Sequence, residues 1–303
     1  MPKICYVEKN FRAASLDLID KVNGVVSEYK AMGYNLTLRQ LYYQLVARGY
    51  IPNNMKSYKN VGSLINDARL AGLIDWDAIE DRTRNLKRLP HWDSPETIIR
   101  ACAEQYRQDW WRDQLYYVEV WVEKEALANV VERVTNSLSV PYFCCRGYVS
   151  QSEMWSAAQR FSQLQRYEGK HIVLLHLGDH DPSGIDMSRD IQERLTLFGV
   201  REDQFKFERI ALNMGQIKQF NPPPNPAKTT DSRYEGYIDQ YGEESWELDA
   251  LEPQVIHDLI TNKVSEYNDP DEERRVKEKV RSERRVMEDI ADDWDSIYDQ
   301  YTN

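Results

Sequence analysis

From residue 10 to residue 90 the apolar positions recur with helical spacing. A first amphipathic segment runs from about Ala13 to Met32, and Gly33 stands just past its end as a C-terminal stop. Thr37 suits the N-cap of a second helix, LRQLYYQLVARG, which closes at Gly49. SYKNVGSLINDARLAG repeats the rhythm and closes at Gly72, and the short β-prone stretch LIDWDAIEDRTR follows. Three helices and then a strand-like wing is the order of a winged helix-turn-helix, although a plain helical bundle fits the same spacing. HWDSP reads as a loop, and IIRACAEQYRQDWW as a helix linking this region to the next.

Near Leu115 the period changes. YYVEVWV, VPYFCC, HIVLLHL and QFKFERIAL read as strands. ALANVVERVTNSL, SEMWSAAQRFSQLQRY and GIDMSRDIQERLTLF read as the helices between them. Strands alternating with helices predict a parallel sheet, so the fold class is α/β. NPPPNPAKTTDSRYEGYIDQYG predicts a loop of about twenty residues, a length that tends to carry function. SWELDALEP returns to a strand and turn, and from Val255 onward the chain reads as a solvated, charge-dense helical arm or an oligomer contact. The predicted division is a helical DNA-binding domain over 1–92, a linker helix over 93–114, a Rossmann-like sheet domain over 115–254 and the arm over 255–303.

Composition narrows the classes. Hydrophobic residues make up 41% of the 303 positions and charged residues 29%, as in a folded soluble chain. No apolar run approaches the roughly 18 residues of a membrane span. MPKICYVEKNF has no apolar core of a signal peptide, so no membrane partner and a cytoplasmic location are expected. Cys5, Cys102, Cys144 and Cys145 make a poor zinc pattern and read as reduced thiols. The net charge is −11, yet Lys and Arg outnumber Asp and Glu in residues 1–90, so the acidic excess lies in the remainder. Lys56, Lys59 and Arg69 in or beside the third helix, and Arg82, Arg84, Lys87 and Arg88 after the wing, suit contacts to a DNA backbone.

Chemistry concentrates at two strand ends. VEVWVEKEAL places Glu123 where a strand gives way to a helix. HIVLLHLGDHDPSG places Asp179 and Asp181 at the end of a later strand, with Pro182 suited to open the next helix. Ligands of open α/β sheets collect outside the carboxyl ends of the strands. Three acids converging there would repel one another without a cation, and their hard oxygens suit Mg²⁺, with Mn²⁺ as a substitute.

VEKEAL followed by GDHDPSG resembles the Toprim domain, in the form found in the A subunit of type IIB topoisomerases (topoisomerase VI) and in the related meiotic double-strand-break transesterase. The resemblance implies that Glu123 is the Toprim glutamate and that Asp179 and Asp181 bind metal. SWELDAL is similar to an acidic segment late in that domain, which makes Glu247 and Asp249 secondary candidates. The intervening sequence departs from those subunits, and the chain is shorter, so it reads as a compact, divergent relative of bacterial, phage or mobile-element type.

That resemblance demands a nucleophilic tyrosine on the winged helix, and TLRQLYYQLVARG offers two. Leu38, Leu41, Tyr42, Leu45 and Val46 share one apolar face, which assigns Tyr42 to the core. Tyr43 lies about 100° away on the face of Arg39. A guanidinium there would favour the phenolate and bind the attacked phosphate. The family's R-x-x-Y-Y segment likewise implies Tyr43 as nucleophile and Arg39 as helper. The leading expectation is Mg²⁺-dependent cleavage of double-stranded DNA through a 5′-phosphotyrosyl link. A homodimer is expected, with Tyr43 of one protomer meeting the metal site of the other. A hydrolytic Toprim nuclease and a DNA-binding scaffold remain alternatives. The chain has no GxxxxGK[ST] loop, so strand passage would need a separate ATPase B-type subunit.

Overall fold

The computed structural model describes residues 3–33, 35–80 and 89–302. The N-terminal third is helical: α1 (Ala13–Ala31), β1 (Leu36–Thr37), α2 (Leu38–Ala47), α3 (Met55–Leu70) and β2 (Ile79–Glu80). Thr37 caps α2 through a reciprocal box with Gln40, satisfying two backbone donors that a helix start leaves open. Gly49 and Gly72 take φ of 70° and 72° beyond α2 and α3, the left-handed stops that their positions predict. Of the expected strand-like wing, residues 81–84 lie outside the described residues, and only its start is seen. A 3₁₀ turn at Trp76–Ala78 leads into β2, whose two residues pair in parallel with β1. Leu36 and Ile79 bury their side chains against the helices from these paired strands.

A connecting helix α4 (Pro95–Gln105) precedes the sheet region. It stops short of the expected Trp110 and Trp111, because Trp111 is buried and its indole donates to Leu138 O at 2.8 Å. Then come β3 (Tyr116–Val122), α5 (Ala128–Leu138), β4 (Tyr142–Cys144), α6 (Gln151–Tyr167), β5 (His171–Leu177), α7 (Pro182–Leu197) and β6 (Phe205–Ala211). The four strands form one parallel sheet in the order β4-β3-β5-β6. Alternation along β3 and β5 explains why both faces are covered. Val118, Val120, Val122, Val173, Leu175 and Leu177 face one core, and Trp121, Ile172 and Leu174 face the other, under α6 and α7. The first core runs without a break into the N-terminal bundle through Val25, Leu41, Leu45 and Ile65. Helical third and sheet therefore share one packed interior.

The chain closes with α8 (Met214–Phe220), β7 (Asn225–Pro226), α9 (Tyr234–Tyr241), β8 (Glu244–Ser245), α10 (Pro253–Ser265), α11 (Pro270–Asp292) and α12 (Trp294–Thr302). Two expectations need correction here. The stretch taken as one long loop folds into an excursion with its own helix, α9, between the antiparallel strands β7 and β8. Tyr237 is its anchor: it is buried, and its hydroxyl donates to His180 O and Glu244 O at 2.9 and 3.0 Å. The arm expected from residue 255 is also divided. Ile256, Ile260 and Val264 of α10 lie in the sheet's core, and the charge-dense helix proper begins at Pro270. It packs along α4, with Glu283 taking hydrogen bonds from Tyr106 and Gln108. No helix among the described residues is long and apolar enough to cross a membrane.

His176 is buried in β5 with Nδ1 2.9 Å from Ser188 Oγ, and Nε2 has no partner among the described residues. Burial, helped by Arg209, pulls its pKa down from 6.5 to about 3. The folded value lies below the unfolded one, so the unfolded chain takes the proton first. Stability complete above pH 6.5 is then lost as pH falls toward 3, at up to ~1.4 kcal/mol per pH unit. His176→Phe is expected to flatten the fall in urea-melt stability between pH 6.5 and pH 4, and equal slopes in the two proteins would refute this.

Candidate active site between the helical bundle and the sheet

β3 and β5 end side by side, with Val122 opposite Leu177. Glu123 therefore leaves the sheet beside Gly178 and Asp179, and its carboxylate accepts the Asp179 N–H at 2.8 Å. The next residues run alongside SWELDAL: His180 and Trp246 exchange backbone hydrogen bonds at 2.8 and 2.9 Å. Asp179 Oδ1 accepts the Leu248 N–H at 2.7 Å, which turns Glu247 and Asp249 toward the same strand ends. His180 is boxed in by the rings of Tyr237, Tyr241 and Trp246, and burial lowers its pKa to about 4, so it stays neutral. The α9 excursion thus serves as the side wall that fixes this segment.

Asp181 behaves as its position before Pro182 predicts. Its Oδ1 caps α7, accepting from Gly184 N at 2.6 Å and Ser183 Oγ at 2.9 Å. Gly184 is required by close approach, since a Cβ there would lie 2.3 Å from the Asp179 carbonyl oxygen. Neither backbone can yield alone, so Gly184→Ala is expected to cost about 1–3 kcal/mol in a denaturant melt. An unchanged midpoint would mean that the turn has room the geometry denies it. Beneath the turn, half-buried Arg209 of β6 donates to the carbonyls of Gly178 and Gly184 at 2.9 and 3.0 Å and to Ser188 Oγ at 2.7 Å.

The expected convergence of Glu123, Asp179 and Asp181 on one point is not what the side chains do. Glu123 faces the Asp179 amide and Asp181 faces the α7 terminus. Among the described residues no three His, Cys, Asp or Glu side chains gather as a metal-holding group. The cluster that forms is different: Lys124 Nζ lies 2.7 Å from Asp179 Oδ2 and 3.2 Å from Asp249 Oδ1, and it also pairs with Glu247. Arg39 of α2 adds its Nε to Asp249 at 2.7 Å and Nη2 to Glu247 at 2.9 Å. Burial, opposed by Lys124 and reinforced by Glu123, Glu247 and Asp249, holds the Asp179 carboxyl well above the usual carboxylate range. Burial also raises Glu123. Burial works against the Lys124 ammonium, but Asp179, Asp249 and Glu247 outweigh it and raise its pKa. The lysine keeps its proton, and the cost of desolvation falls on Asp179.

Tyr42 lies in the interior as its face predicts, its hydroxyl accepting Asn54 N–H at 2.8 Å. Tyr43 is buried as well, 6% exposed, against the expectation of a surface phenol. The body of the chain covers that face of α2, with Ala250 packed against both tyrosines. Arg39 does stand over the Tyr43 ring, 5.8 Å from its centroid. Its effect is outweighed, however. Burial first, then Glu247 and Asp249, push the phenol up to about 12 against the pull of Arg39 and Lys124. The phenolate is disfavoured in this arrangement, contrary to the helper role expected of Arg39 alone.

Tyr43, Arg39, Asp181, Glu247 and Lys228 line one cleft of about 290 Å³ between α2, the start of α3 and the β7–β8 excursion. Asn53 Nδ2 donates to Asn225 Oδ1 at 2.7 Å across that boundary. Within one chain, α2 packs on the 3₁₀ turn at Leu248–Ala250, so Tyr43 lies beside the acids of its own chain. Lys56 and Lys59 are exposed on α3, the helix that supplies Asn54 and Tyr58 to the cleft wall. Arg69 is not free for DNA. Its guanidinium donates to Trp76 O and Ile79 O at 2.9 and 2.6 Å, tying down the segment after α3. Arg82, Arg84, Lys87 and Arg88 lie outside the described residues.

Lys124, Arg209 and Lys228 are the members that sequence reasoning missed. The lysine of VEKEAL could have been found, since a cation beside the first acid of an acidic constellation has an evident electrostatic task. Arg209 carried no such signal. No family model and no curated protein matches the chain.

Proposed function

We propose that this protein cleaves DNA by tyrosine transesterification, in the manner of the topoisomerase VI A subunit, with its helical third as the winged-helix module and its sheet as a Toprim-type domain. The observation that carries this reading is that Tyr43, Arg39, Asp181 and Glu247 share one cleft. Tyr43 and the acidic segments lie far apart in sequence, and the fold brings them to one cleft.

The donor set fits a hard divalent cation. It is made of carboxylate oxygens alone: Asp179, Glu247 and Asp249 each pair with the Lys124 ammonium, although as they stand they form no metal-holding group among the described residues. Asp179, Glu247 and Asp249, flanked by Glu123 and Asp181, would hold Mg²⁺ or Mn²⁺ in place of that ammonium. When bound, the ion supplies stabilisation of charge on the leaving oxygen. The chain's own residues do the rest. Lys228, 72% exposed at its side chain and 4.0 Å from Asp181, and Arg39 at the cleft wall, receive the phosphate. Tyr43 Oη attacks phosphorus as its P–O bond forms, the bond to the 3′ oxygen breaks, and the phenolic proton ends on that oxygen, leaving a 3′ hydroxyl and a 5′-phosphotyrosyl link. Lys56 and Lys59 hold flanking backbone without reading sequence. A double-strand break takes two protomers, and strand passage an ATPase subunit.

A hydrolytic nuclease of the same architecture is the second reading, favoured by one observation: the buried Tyr43 phenol, at about 12, is a poor nucleophile as it stands. The test is to incubate wild type, Tyr43→Phe and Asp179→Asn with labelled supercoiled DNA and Mg²⁺, denature, and look for DNA bound to protein. An adduct in wild type alone supports transesterification. Nicked or linear DNA without an adduct, retained in Tyr43→Phe and lost in Asp179→Asn, replaces it with hydrolysis. No DNA change in any of them sinks both.

A further inference from the structure

A second groove of about 530 Å³ lies where α11 crosses the end of α5 and the segment after α4. Its floor is Trp110 with Val276 and Val280, and its rim carries Arg107, Lys277, Arg281, Arg284 and Arg285 against the single acid Glu288. Such a concentration is unusual in a chain of net charge −11. The helical spacing 277, 281, 284, 285 gathers the cations on one face of α11 although that helix is rich in both signs. Most other charges of α11 are answered locally: Arg274 by Asp271 at 2.9 Å, Lys279 by Glu283 at 3.9 Å, and Arg275 by Glu272. Arg281 and Arg285 form no ion pair among the described residues. Arg284 is braced rather than neutralised, with Nε donating to Tyr106 O at 2.8 Å. Lys277 pairs with Glu273 and lies 4.4 Å from the Trp110 ring centroid, so the groove's cations without an ion pair among the described residues are led by Arg281 and Arg285.

Like charges held together in one groove repel unless an anion joins them, and a row of guanidinium forks matches phosphate oxygens. We infer that this groove is a second nucleic-acid contact, holding the phosphate backbone of duplex DNA away from the cleft. It rests on the proposed function only for the identity of the polyanion. Its place in the fold gives it a distinct role. α5 begins beside Glu123 at the carboxyl ends of the strands and runs 11 residues, ~16 Å, to the groove at the opposite sheet edge. The DNA gripped there is a different stretch from the one presented to Tyr43, so the groove adds affinity without base readout.

The test is binding of a labelled 30-base-pair duplex of arbitrary sequence by full-length protein across a NaCl series, by fluorescence anisotropy. Arg281→Glu with Arg285→Glu is compared with wild type and with Lys56→Glu with Lys59→Glu. All four positions are exposed, so folding should be retained, and a thermal melt checks this. The expected result is an affinity at least about tenfold weaker at 100 mM NaCl and a log–log salt slope reduced by about 2 for the groove variant. Unchanged affinity and slope there, with binding weakened in the Lys56 and Lys59 variant, overturns the groove and leaves the proposed function standing. Displacement of the duplex by tripolyphosphate at equal phosphate concentration also overturns it, marking a pocket for a small anion. A wild type with no affinity for the duplex overturns the groove and the proposed function together.

Discussion

Lys124→Met is expected to lower folding stability by about 3–5 kcal/mol at pH 8 in EDTA, the cost of removing one partner from a buried ion cluster. Methionine keeps the length and apolar stem of lysine, so the change isolates the charge. Without it, Arg39 still reaches Asp249 and Glu247 but, among the described residues, makes no bond to Asp179. Burial already holds Asp179 above its ordinary range, and losing the ammonium raises it further. An acid whose folded pKa exceeds its unfolded value weakens the fold at high pH, and the penalty is relieved as pH falls and the group protonates. The deficit of the variant should therefore shrink between pH 8 and pH 5. Millimolar Mg²⁺ should restore stability to the variant more than to wild type, because the vacated ammonium position is the one proposed to take the ion. Urea melts at the two pH values, with and without Mg²⁺, measure all of this. A variant as stable as wild type at pH 8 in EDTA would show that Lys124 is not the counter-charge of the cluster.

The scaffold was legible in the sequence because its determinants are local. Thr37 and Ser150 cap α2 and α6, and Asp181 with Pro182 opens α7, each through a side chain within three residues of the amide it serves. The apolar runs of β3 and β5 announce strands covered on both faces, which a parallel sheet requires. Tyr42 followed from periodicity for the same reason. Tyr43 did not: the helix wheel shows which face is apolar within α2 but not that the turn at Leu248–Ala250 closes over the adjoining face. The long loop failed alike, since Pro, Gly and Thr mark turns while Tyr237 gains its burial only against His180, fifty-seven positions earlier. In the site, the acids were visible and their partners less so. Asp179 and Asp249 lie 70 positions apart in the chain, and only the backbone pairing of His180 with Trp246 brings their segments into contact with Lys124. Charge density misled at Arg69 and in the arm, because a count of Lys and Arg does not say which of them are spent on carbonyls.

Tyr43→Phe is expected to abolish the protein–DNA adduct and to cut strand cleavage on the order of 10⁴–10⁶-fold, the scale of losing a nucleophile, while leaving the fold intact. The second half follows from geometry: the Tyr43 hydroxyl makes no hydrogen bond among the described residues, and the ring that packs on Tyr42 and Ala250 is retained. Stability within about 0.5 kcal/mol of wild type is expected, so lost activity could not be blamed on unfolding. The raised phenol adds a signature in pH. With a value of about 12, the ionised fraction at pH 8 is about one in ten thousand and grows tenfold with each pH unit. Single-turnover adduct formation by wild type should accordingly rise close to tenfold per unit from pH 7 to pH 9. Arg39→Lys keeps a positive charge but not the fork that spans Asp249 and Glu247, so it should slow the same step without moving DNA affinity by more than a few-fold. A flat pH profile with cleavage preserved in Tyr43→Phe would remove the tyrosine from the chemistry and leave it as part of the cleft wall.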